Sequence, residues 1–193
     1  MHPLTLADIR PPAAYEPVRA EARRHILEMK RHRRVGLGDL LGLVFENRET
    51  VRSVVEELLR AEGIEDPGRI EEELQVFNPL VPGERELCAT LFLEITDPAE
   101  LTPRLGELRG IEAAVHLEVG GERVTGVAED GRSRAGRTSS VHSLRFRLTE
   151  EQQAAFVGGA VEVALVADHP AYRARATLDD RQRLAVGADL GGR

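Results

Sequence analysis

The chain has 193 residues, of which 41% are hydrophobic and 31% charged, and its net charge is −7. That size suits one globular domain, and the acidic balance excludes a general nucleic-acid binder. The lone cysteine, Cys88, excludes an intramolecular disulfide and any cysteine-held zinc or iron–sulfur site built by this chain alone. No apolar run approaches the roughly 20 residues that span a bilayer. The opening residues 1–12 lack the apolar centre of a signal peptide, so no membrane association and a cytoplasmic location are expected.

The first third is helical in pattern. Pro17 suits a first helical turn, and Val18, Ala22, Ile26 and Met29 recur on one face of the run that follows. The run closes in Lys30, Arg31, His32, Arg33 and Arg34. These read either as a cationic C-terminus that complements the helix dipole or as a patch for phosphate or an acidic partner. Residues 40–45 predict a short strand. Asn47 and Gly63 are the expected caps of a helix over 48–62, with Val51, Val55, Leu58 and Leu59 towards the core and Glu56 and Glu57 in water. A third helix is expected from Asp66-Pro67 to Asn78-Pro79.

The remainder reads as a sheet. Leu87 to Ile95 alternates as a strand, and Asp97-Pro98 opens a short helix disturbed by Pro103 and Gly106. Val115–Val119, Gly120-Gly121 and Arg123–Ala128 predict a hairpin, in which His116 alternates with Val115 and Leu117 and faces solvent. Residues 129–140 form a polar loop with Arg132, Arg134 and Arg137, read as closing over a ligand or as simply solvated. Thr149 caps a short helix joining two further strands, and little after Leu178 has anything to bury. The expected fold is α+β: an N-terminal helical layer packed on a mainly antiparallel sheet of about five or six strands. Residues 1–178 make a single domain and 179–193 a mobile tail.

Two histidines carry the site hypothesis. His142, Leu144, Phe146 and Leu148 share one parity of the first of those strands, and Val161, Val163, Leu165, Ala167 and His169 share one parity of the second. Paired antiparallel as neighbours, these strands bring His142 and His169 together at one rim. Asp168, Tyr172 and Glu46 complete the candidate ligand-binding set. One reading makes His142 and His169 ligands of a transition metal, with Asp168 or Glu46 completing the site. Another makes His169 a general base oriented by Tyr172. The plain reading has both histidines hydrogen-bonded to backbone or to Tyr172, with Pro170 making a rigid turn. Cys88 sits in a strand pattern as a small buried hydrophobe.

Phe45-Glu46-Asn47-Arg48 before a helix, Asn78-Pro79-Leu80-Val81-Pro82 before a strand, Val141-His142 opening a strand and Asp168-His169-Pro170-Ala171-Tyr172 after one occur together, in this order. In them the chain resembles the bacterial domain-of-unknown-function family 3501, over roughly residues 4–178. The resemblance carries no established activity. It implies an accessory role beside rubrerythrin-like and iron–sulfur oxidoreductase proteins, with a redox protein as partner. The chain departs from the family pattern at residues 54–59, where Val-Val-Glu-Glu-Leu-Leu replaces a glutamine-bearing segment. Two functions follow: a non-catalytic accessory or binding protein for a redox system, or a small metal-dependent or acid–base enzyme using His142 and His169.

Overall fold

The computed structural model describes residues 1–128 and 138–191. In chain order the elements are α1 (Pro12–Tyr15), α2 (Arg19–Arg31), β1 (Arg34–Leu37), β2 (Leu41–Glu46), α3 (Arg48–Glu62), α4 (Pro67–Phe77) and β3 (Glu86–Leu93). Then follow α5 (Pro98–Glu107), β4 (Val115–Val119), β5 (Glu122–Ala128), β6 (Val141–Arg147), α6 (Glu150–Gly158), β7 (Val163–His169), β8 (Tyr172–Thr177) and α7 (Asp180–Leu190). The α+β expectation holds. The sheet is larger than expected, with eight strands in the order β1-β2-β3-β6-β5-β4-β7-β8, every pair antiparallel. Among the described residues no helix is long and apolar enough to cross a membrane.

The sheet curls until its edge strands β1 and β8 meet. Gly126 makes the sharp corner. Residues 122–125 of β5 pair with β4, while 126–128 pair with β6. A Cβ at 126 would stand 2.6 Å from the Val115 carbonyl oxygen and 2.9 Å from the Phe146 ring, so only glycine lets the strand turn this tightly inward. The inward parity of all eight strands merges into one apolar core that includes Leu43, Phe45, Leu91, Leu117, Phe146 and Leu165. Phe45 and Phe146 meet across it, with ring centroids 6.3 Å apart.

Each end of this barrel is stoppered. At one end α5 and the 3-10 turn Ile111–Ala113 push Leu105, Leu108 and Ile111 into the core. At the other, α6 and α7 insert Phe156, Val186 and Leu190. Residues 180–190 are thus a docked helix, which corrects the expected mobile tail. Asp179 and Gln182 form a capping box at its start. Near its end Asp189 meets Arg33, and the two side chains are 6% and 3% exposed. Arg33 also donates to the carbonyls of Phe45 (2.9 Å) and Ala185 (2.8 Å). Burial pushes the Asp189 carboxyl above its usual range, and the Arg33 guanidinium pulls it back. Sequence periodicity misses the helix because its buried face of Val186, Gly187, Asp189 and Leu190 includes a glycine and an acid, while Leu184 is exposed.

The N-terminal helices build a separate apolar cluster from Leu4, Ile9, Val51, Val55, Leu59, Ile70 and Leu74. Asn47 caps α3 through the Thr50 amide (2.9 Å), and Gly63 ends it at φ 65°. Leu58 is half-buried, so the inner face of α3 is Val51, Val55 and Leu59. Glu56, expected in water, is 1% exposed and takes a two-pronged ion pair from Arg10, at 2.8 and 2.6 Å. Glu57 accepts from the Tyr15 hydroxyl at 2.9 Å and from Arg19.

Candidate functional site

His142 and His169 share the inward face and the same end of the barrel, as their parity requires. They are not neighbours. The β4–β5 hairpin is inserted between β6 and β7, so three strand spacings, about 14 Å along the sheet, separate the two strands. The expected pairing of β6 with β7 is therefore corrected. Chain proximity suggested it; the ladder partners of β6 are instead β3 and β5.

Each histidine fastens the same stopper. The His142 Nε2 lies 2.9 Å from the Ser139 carbonyl and 2.8 Å from the Thr138 hydroxyl, which donates in turn to Glu112 at 3.1 Å. Glu112 belongs to the 3-10 turn, and the Thr138 amide donates to the Leu105 carbonyl of α5 at 3.1 Å. His142 is 2% exposed. His169 is half-buried, and its Nε2 is 3.1 Å from the Arg109 carbonyl while its Nδ1 accepts from the Ala171 amide at 3.2 Å. Those contacts select the tautomer that carries its proton on Nε2. Among the described residues no group of three or more His, Cys, Asp or Glu is placed to hold a metal.

The other candidates disperse. Tyr172 does not orient His169. Its hydroxyl lies 2.8 Å from the Leu37 carbonyl and accepts from the Leu40 amide at 3.1 Å, joining β8 to the β1–β2 turn. Burial and the Asp39 carboxylate hold this phenol above its ordinary pKa, with the Leu40 amide opposing. Gly38, at φ +71° in that turn, lies where a Cβ would overlap the Tyr172 hydroxyl. Asp168 points outward and pairs with Arg173 at 3.0 Å. Glu46 is on the outer face of β2, 5% exposed, with one carboxylate oxygen accepting from Thr90 at 2.8 Å and the other without a hydrogen-bond partner among the described residues. The Arg132, Arg134 and Arg137 loop lies outside the described residues.

One functional candidate escaped the sequence. His116 faces outward as expected, yet it is 4% exposed rather than solvated. Among the described residues its Nδ1 has no hydrogen-bond partner, an arrangement that costs about 1–3 kcal/mol when a polar atom is buried. Burial, reinforced by Arg123, holds the imidazole below its ordinary pKa of 6.5. The ring lines an open groove of about 540 Å³ across β4, β5, β7 and β8, with Glu118, Arg123, Asp168, Arg173 and Arg175. The signal was present in outward residues of these strands, such as Arg123, Arg173 and Arg175, but only strand order brings them together.

The family model described as "Protein of unknown function (DUF3501)" matches residues 3–190, and the chain belongs to that family. The chain is also similar to a novel protein of unknown function from Burkholderia pseudomallei K96243, solved by crystallography at 1.90 Å. The two are 33% identical with a TM-score of 0.92, and the match covers 98% of this chain and 100% of that chain. No curated protein matches.

Proposed function

We propose that the protein is a cytoplasmic, non-catalytic accessory or binding protein that works through the outside of its curled sheet. Its partner belongs to the redox system implied by the family resemblance. The observation that carries this reading is the use made of the family's polar motif residues. Asn47 caps α3, and Asn78 exchanges two hydrogen bonds with the backbone of Leu4, at 2.7 and 2.9 Å. His142 and His169 fasten the stopper, and Tyr172 fastens the seam. Groups spent on backbone partners in this way hold a scaffold, and the apolar side chains they enclose fill its interior. The outer surface is then where a partner is met.

The test is a pair of variants, His142→Gln and His169→Gln, with elemental analysis of tag-free protein. Lowered thermal stability without a stoichiometric transition metal in the wild type is the expected result. A stoichiometric metal lost in both variants overturns the reading in favour of an enzyme built on the two histidines. The redox assignment is tested separately, by titrating the protein with a rubrerythrin-like or iron–sulfur protein from the same cell. Micromolar binding is expected, and no binding removes that part.

A further inference from the structure

The groove over His116 combines three features that ordinary barrel surface lacks. An imidazole nitrogen is buried there without a partner, although the strand face around it is rich in donors and acceptors. The lining carries three arginines against two carboxylates, within a chain whose net charge is −7. The arginines are also unequally engaged. Arg173 pairs with Asp168, and Arg175 with Glu118 at 3.2 Å and with Glu162. Arg123 makes no ion pair with any described carboxylate; it stands opposite Glu118 across the β4–β5 ladder, and its charge acts on the His116 ring.

We propose that this groove binds an oxyanion group, a phosphate or carboxylate on a small molecule, between the Arg123 guanidinium and His116 Nδ1. A guanidinium offers paired N–H donors in a fork that matches two oxygens of such a group. The Nδ1 of histidine carries a proton in one neutral tautomer and in the imidazolium, and both forms donate to oxygen. Arg173 engages Asp168 and Arg175 engages one oxygen of Glu118, which offsets both carboxylates; the other Glu118 oxygen lies 3.8 Å from His116 Nε2, the ring nitrogen the anion does not use. The bound group thus supplies the partner that the buried ring lacks. This site gives the binding-protein reading a ligand class. Its failure leaves that reading standing, which His142 and His169 decide.

The experiment is a titration of the isotopically labelled full chain with inorganic phosphate, and in parallel with succinate, followed by amide and imidazole NMR shifts. Saturable shifts centred on residues 115–118 and 123–125, with a displaced His116 Nδ1 resonance, are expected for at least one anion; which anion binds more tightly identifies the group. Arg123→Gln should raise the dissociation constant at least tenfold with an unchanged melting temperature. Arg104→Gln, on α5 and paired with Glu100 and Glu107, should leave it unchanged. Absence of saturable shifts with both anions, shifts scattered over all surface arginines, or equal effects of the two variants overturns the proposal.

Discussion

The seam between β1 and β8 makes a quantitative prediction through Gly38 and Tyr172. Tyr172→Phe removes the hydroxyl that bonds the Leu37 carbonyl (2.8 Å) and the Leu40 amide (3.1 Å). Two bonds of about 1 kcal/mol each, partly replaced by water at a half-buried ring, give a loss of about 1–2 kcal/mol. Gly38→Ala meets two penalties. The left-handed backbone costs about 1–2 kcal/mol for a residue with a Cβ, and the new methyl overlaps the Tyr172 hydroxyl, adding about 1–3 kcal/mol. In the Tyr172→Phe background the overlapping oxygen is gone, so the second penalty largely disappears. The double variant should therefore be more stable than the sum of the singles by about 1–3 kcal/mol. Equilibrium urea unfolding of the four proteins, analysed at constant m, measures this coupling directly. Additivity within about 0.5 kcal/mol would refute the packing of Tyr172 over the β1–β2 turn.

Three further variants test the helical layer. Leu59→Ala, at a fully buried position of α3, should cost about 2–5 kcal/mol, whereas the half-buried Leu58→Ala should cost clearly less; equal losses in urea unfolding would reverse the assigned face. Asp8 is held at a pKa of about 2, chiefly by the Arg48 guanidinium and then by the Thr5 amide and hydroxyl. Its folded pKa lies below the ordinary value of 3.8, so the unfolded chain takes up the proton first on acidification. The stability it contributes is complete above about pH 4 and drains away as pH falls towards 2. Asp8→Asn should flatten the unfolding free energy across that window relative to wild type, and parallel curves would contradict the ion pair.

Local signals were legible and non-local ones were not. Asn47, Gly63, Asp66 and Thr149 announce helix ends because a cap is decided within three or four residues. Strand parity was equally readable, and it placed His142 and His169 on the correct face. Strand order was not, since nothing within residues 141–172 shows that the β4–β5 hairpin will occupy the space between their strands. His116 shows the same limit: alternation assigns an outward side chain, but on a curled sheet its neighbours' long side chains decide whether outward means wet. Arg33 read as part of a cationic helix end because its partner, Asp189, is 156 residues away.

That separation has a consequence for how the chain reaches this state. The first strand of the sheet is synthesised long before the helix that pins it through Arg33, Ala185 and Asp189. A nascent chain emerging from the ribosome carries β1 without β8 beside it until residues 172–177 have been synthesised. Closure therefore waits for β8 and α7, and its high contact order makes it slow compared with helix formation in the N-terminal layer. Throughout that interval the exposed edge can pair with another ribbon. The burden of avoiding aggregation therefore falls on the short length of β1, four residues, and on the charge of Arg34 at its start.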